Sequence, residues 1–192
     1  MGELLSLIYN FFPKGIAFND VRYKLSEEYN RLSRKRNEFK GKTSLLVKEI
    51  EKLLPEYSVV DWTNLEEYNC MQYKVLIAKD QKILDDDVEL INVLGGRRID
   101  LVLYVSILGD FYYFNYVNTN LIEGNWHFSS VNVINKEMQR ISIEIDSLMK
   151  RKKRTKLEDL VCKSFVPDLE TELLNFGEVR VFNCLFSELD TI

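Results

Sequence analysis

The order of segments predicts an α+β protein: an antiparallel sheet of about five to six strands with N-terminal helices and one long helix packed on it. Three observations carry this expectation. Residues 3–54 contain three stretches whose apolar residues recur at spacings of three and four, the period of an amphipathic helix. After Pro55 the period drops to two, most clearly across residues 98–117, as a half-buried strand requires. The helical period then returns over residues 131–151 before two further alternating stretches. Helices grouped ahead of strands point to α+β rather than to alternating α/β.

Taken in order, Leu4, Leu5, Ile8, Phe11 and Phe12 give residues 3–12 one apolar face, ended by Pro13 and Gly15. Residues 20–39 read as a second helix, with Val21, Leu25, Tyr29 and Leu32 on one side and Asn19 or Asp20 as its N-cap. Leu45, Leu46, Ile50, Leu53 and Leu54 mark a third over residues 42–54, set off by Gly41 and stopped by Pro55. Residues 57–62 and 70–77 are rich in β-branched and aromatic side chains and read as strands, and 79–87 as a polar loop. Ile99, Leu101, Leu103, Val105 and Ile107 alternate with Asp100, Val102, Tyr104 and Ser106; Gly109-Asp110 turns, and 111–117 returns. That is a β-hairpin. Residues 118–127 read as loop. Ile134, Met138, Ile141, Ile145 and Leu148 form a helical stripe over 131–151. Residues 161–174 and 178–186 read as two closing strands. The whole of 1–192 reads as one domain, helical over 1–55, sheet-rich over 56–130, and long helix plus strands over 131–192.

Composition narrows the function. Hydrophobic residues make up 46% of the 192 and charged residues 29%, the balance of a globular chain rather than a disordered one. No segment approaches the roughly 20 apolar residues of a membrane span. The start lacks the basic region and small-residue cleavage site of a signal peptide, although Gly2 and Ser6 satisfy the minimal spacing for myristoylation. Three widely spaced cysteines, Cys70, Cys162 and Cys184, form neither a disulfide framework nor a zinc pattern. They suit buried thiols in a cytoplasmic protein. Net charge is −4, but residues 56–130 hold 5 basic against 12 acidic residues, a net of −7, whereas residues 1–55 carry +4.

Catalytic motifs are scarce. His127 is the one histidine, which leaves little from which to assemble a triad or zinc site. Neither GxxxxGK[ST] nor GxGxxG occurs, so no phosphate-cradling loop, cofactor or metal is expected. Gly95-Gly96-Arg97-Arg98 reads as a turn before a strand. Asp85, Asp86 and Asp87 are the densest carboxylates, with the wrong spacing for an EF-hand; as a charged patch they would steer a basic partner. Arg31, Arg34, Lys35 and Arg36, with the 150–154 basic run, raise nucleic acid as a partner, but the acidic chain lacks a full basic footprint. Tyrosine is favoured at interface hot spots, so Tyr112 and Tyr116 are candidate exposed anchors, weighed against plain core packing.

The hairpin RRIDLVLYVSILGDFYYFNYV, the closing VPDLETELLNFGEVRVFNCLFSE and the early FPKGI resemble segments of bacterial uncharacterised small proteins related to polymorphic-toxin immunity proteins. The likeness spans about a third of the chain and transfers no residue role. It implies a non-enzymatic protein-binding module, an immunity-type inhibitor of a basic toxin; negative charge puts forward Asp85, Asp86 and Asp87 as contacts, and aromatic character puts forward Tyr112 and Tyr116. The alternative is an enzyme or nucleic-acid-processing protein using Asp100, Glu170 and Glu172, with Asp168 beside them. A homodimer through the aromatic sheet face is a third reading.

Overall fold

The computed structural model describes residues 1–42, 44–79, 88–131 and 133–188, with the side chain of Ser44 left aside. Its centre is a sheet in which β1 (Ser58–Asp61), β2 (Cys70–Leu76), β3 (Arg97–Ser106), β4 (Phe111–Ile122) and β5 (Asn125–Ser130) lie in sequence order, each antiparallel to the next. A sixth strand, β6 (Thr155–Lys156), pairs parallel with the start of β4. The α+β class, the antiparallel sheet and the packed helices therefore match the sequence expectation.

Alternation along β3 and β4 sorts side chains onto two faces. Leu101, Leu103 and Val105 share one face with Tyr112, Phe114 and Tyr116. Helix α6 (Lys136–Arg151) covers it, burying Met138, Ile141, Ile145, Leu148 and Met149. Asn135 caps this helix by accepting a hydrogen bond from Met138 N–H at 2.9 Å, which serves an amide that has no partner within the helix. Helix α4 (Ser44–Leu53) lies alongside with Leu46 and Ile50 buried, Glu49 pairs with Lys152 at 2.8 Å, and a short helix α5 (Val88–Val93) precedes β3. Ile134 of the expected stripe precedes the helix and is 43% exposed.

The opposite face, carrying Tyr104 and Tyr113, is covered by the C-terminal segment. Helix α8 (Val181–Leu185) brings Phe182 edge-on to Tyr104 and Tyr113, at 5.2 and 5.6 Å. Helix α1 (Gly2–Tyr9) adjoins α8, and Tyr9 donates its hydroxyl to Asp168 at 2.7 Å. Both faces are thus covered, where helices over a single face is the simpler expectation.

Three local expectations give way. Residues 20–39 form two helices, α2 (Val21–Leu25) and α3 (Glu27–Phe39). Ser26 is extended, accepts from Tyr29 N–H and donates to Tyr23 O; this break resets the phase and leaves Val21 and Leu25 over 70% exposed. The supposed 118–127 loop is instead the end of β4 and the start of β5, joined at Glu123-Gly124. Both turn residues have positive φ (50° and 78°), the geometry a two-residue hairpin favours. The two closing strands are absent from the sheet: residues 159–162 form α7 (Asp159–Cys162), 181–185 form α8, and one bridge joins Phe165 to Arg180. Val181, Phe182, Cys184, Leu185 and Phe186 are fully buried and Asn183 nearly so. A segment buried on every side carries no face pattern, so alternation there could not discriminate strand from helix. No helix among the described residues is long and apolar enough to cross a membrane.

Candidate functional site: an open slot on the edge of β4

Hydrogen-bond parity along β4 fixes which residues face outward from the sheet. In an antiparallel ladder alternate residues turn their backbone groups to opposite neighbours. Leu121 N–H donates to Gly96 O on the β3 side at 3.0 Å, whereas Tyr116 O accepts from Val131 N–H (2.8 Å) and Tyr112 O from Leu157 N–H (2.9 Å) on the outer side. Phe114 has the parity of Tyr112 and Tyr116, so its N–H and C=O point outward as well. β5 stops pairing at Val131 and β6 at Leu157. Between those ends, on the side away from β3, Phe114 N–H and Tyr116 N–H donate to no backbone acceptor and Phe114 C=O accepts from no backbone donor among the described residues.

The chain builds this gap by ending its two flanking elements early. Beyond the end of β5 and before α6, Val133 is 83% exposed. After Lys156 the chain turns into α7, whose Leu160 is 85% exposed. A groove of about 550 Å³ lies here, lined by Phe114 and Asn115 of β4 and by the apolar side chains of Ile134 and Leu160. Charged groups sit at its rim: Glu158, Asp159, Lys156 and Lys163. Lys156 places its ammonium 3.7 Å from the centre of the Phe114 ring, a cation–π contact. An open strand edge with apolar walls offers backbone hydrogen bonds to an extended chain.

The residues picked from the sequence are only partly near this slot. Tyr112 and Tyr116 fail as exposed anchors. They are 1% and 3% exposed, because their face of β4 is the one α6 covers. Tyr112 donates to Asp146 at 2.9 Å. Tyr116 donates to Met138 O at 2.6 Å, and burial pushes its hydroxyl up to about 12. Core packing wins for both side chains, while their backbone borders the slot. Asp85, Asp86 and Asp87 lie outside the described residues.

The carboxylates of the enzyme alternative are dispersed. Asp100 is buried against Arg98 at 2.9 Å, each side chain 4% exposed. Asp168 pairs with Lys14 at 2.8 Å, and Glu170 accepts Phe18 N–H at 3.0 Å; both tie the N-terminal region to the tail. Glu172 faces a different cavity from Asp100. Among the described residues no group of three or more His, Cys, Asp or Glu side chains could hold a metal ion.

Several basic residues are occupied in the fold. Arg31 Nε donates to Asn10 O at 2.7 Å, and Arg154 donates to Ser106 O and Gly109 O, both at 2.9 Å. Gly95 and Gly96 adopt positive φ in the turn before β3, and Arg97 donates to Asn118 Oδ1. His127 stands exposed on β5 opposite Asn120. All three cysteines are buried free thiols, and burial holds the Cys162 thiol up at about 12, where little reactive thiolate forms. No family model, curated protein or solved structure matches the chain.

Proposed function

We propose that this chain is a non-enzymatic protein-binding module that takes an extended segment of a partner protein against the outer edge of β4. Working as an immunity-type inhibitor of a basic toxin is the form of this role to which the sequence resemblance points. The observation that carries the reading is the slot at Phe114: backbone donors and an acceptor, without partners among the described residues, between two strand ends and beside apolar walls. Residues 113–116 span about 13 Å of strand, room for a short added strand. Its backbone would bond to Phe114 and Tyr116, and an apolar side chain would rest between Ile134 and Leu160. Backbone pairing supplies affinity and the flanking pockets supply selectivity. The net charge of −7 over residues 56–130 favours encounter with a basic partner.

The test is selection of linear peptides from a displayed library on the intact protein, followed by amide exchange on the complex. Selected peptides should slow exchange of the Phe114 and Tyr116 amides and lose binding to a Leu160→Lys variant. Recovery of no peptide, or of peptides that leave both amides unchanged, would overturn the proposal.

A further inference from the structure

A second cavity, of about 380 Å³, lies between α2, α3, the turn at residues 65–68 and the C-terminal segment. Its walls are aromatic. Phe18 meets Tyr23 at 5.0 Å and 63°, and Tyr23 meets Tyr29 at 5.7 Å and 64°, so successive rings stand steeply to one another and form a corner. Tyr68 lines the same space. This corner exists because α2 ends at Ser26: the break at that residue lets Tyr29 of α3 approach Tyr23 of α2.

The polar lining is strongly acidic. Glu66, Glu67, Glu172 and Glu188 face the cavity against a single arginine, Arg36. That arginine is largely engaged as a strut, donating to Asn69 Oδ1 (3.0 Å), Glu66 O (2.9 Å) and Glu67 O (3.1 Å). Lys40 engages Glu66 from outside the lining at 3.6 Å. Even with Glu66 discounted, three carboxylates face one guanidinium. Burial raises the Glu188 carboxyl above its ordinary value. Thr171 is 4% exposed and lines the cavity. Although beside the Glu188 carboxylate, its Oγ1 has no partner at hydrogen-bonding geometry among the described residues.

Aromatic faces carry negative quadrupole charge, and rings set at angles with nearby carboxylates recognise substituted ammonium groups. An anion would meet net negative charge here, and a neutral apolar ligand would leave the carboxylates unused. We infer that this pocket binds an alkyl-substituted ammonium group, with the half-buried Tyr29 and Tyr68 against its methyl groups, Tyr23 bracing Tyr29 from behind, and Glu172 and Glu188 balancing its charge. The inference does not rest on the β4 edge. The ammonium could arrive on a free small molecule or on a methylated lysine of a protein.

The test is titration of the intact protein with choline chloride, with its neutral isostere 3,3-dimethylbutan-1-ol, and with a trimethyllysine peptide, at one ionic strength. Choline should saturate and bind on the order of 10-fold more tightly than the isostere. Tighter binding of the peptide than of choline would assign the protein source, and the reverse order the free one. Glu172→Gln, at an exposed position, and Tyr29→Leu should each weaken choline on the order of 5-fold. Equal binding of choline and isostere, or choline binding unchanged in Glu172→Gln, would overturn the inference.

Discussion

The two edges of β4 differ although one strand builds both, alternate residues serving each. Towards β3 the strand is paired from Arg97↔Asn120 to Val105↔Tyr112. Away from β3 it is paired at each end and open at Phe114. Side chains do not make this difference, since Tyr112, Phe114 and Tyr116 are all at most 8% exposed. What differs is where the neighbouring chain stops. Burial of side chains and saturation of backbone are thus separate properties, and a strand in the core can still offer an edge.

The contrast can be broken by substitution. The largest effect is expected beneath α6: Ile145→Ala, at a fully buried position, should cost about 2–5 kcal/mol in denaturant unfolding. Next comes the helix cap, where Asn135→Ala removes the acceptor for Met138 N–H and should cost about 1 kcal/mol by the same measurement. The smallest is Leu160→Lys on the slot wall, 85% exposed, with a change within about 0.5 kcal/mol. A large loss at Leu160 would mean that the slot is sealed in solution and would remove the distinction between the two sides.

The sheet was legible where one strand face is apolar and the turn is marked, as across β3, Gly109-Asp110 and β4. It was illegible in β5, whose residues are exposed except for a half-buried Trp126, so alternation had nothing to report; Gly124 in a two-residue turn was the available clue. The α2–α3 break was readable in principle. Ser26 followed by Glu27 and Glu28 is a helix start, but the apolar spacing running through it favoured one long helix. The opposite problem arises in α8, where uniform burial erases periodicity.

Of the candidate sites, Tyr112 and Tyr116 are legible as residues but their exposure is not, because strand alternation does not say which face a helix will cover. The β4 slot depends on the ends of β5 and β6, elements about 15 and 40 residues downstream of Phe114. No local pattern around Phe114 announces that. The aromatic pocket likewise joins residues 18–36 to 171–188, a contact that only the fold creates.

The most direct test is native-state amide hydrogen exchange on the free protein, resolved by residue along β4. The backbone amides of Tyr113 and Asn115 turn towards β3, so they should exchange slowly, through opening of the sheet. The Phe114 amide between them should exchange faster by orders of magnitude. If Phe114 is protected as strongly as its two neighbours, the edge is closed and the docking slot does not exist.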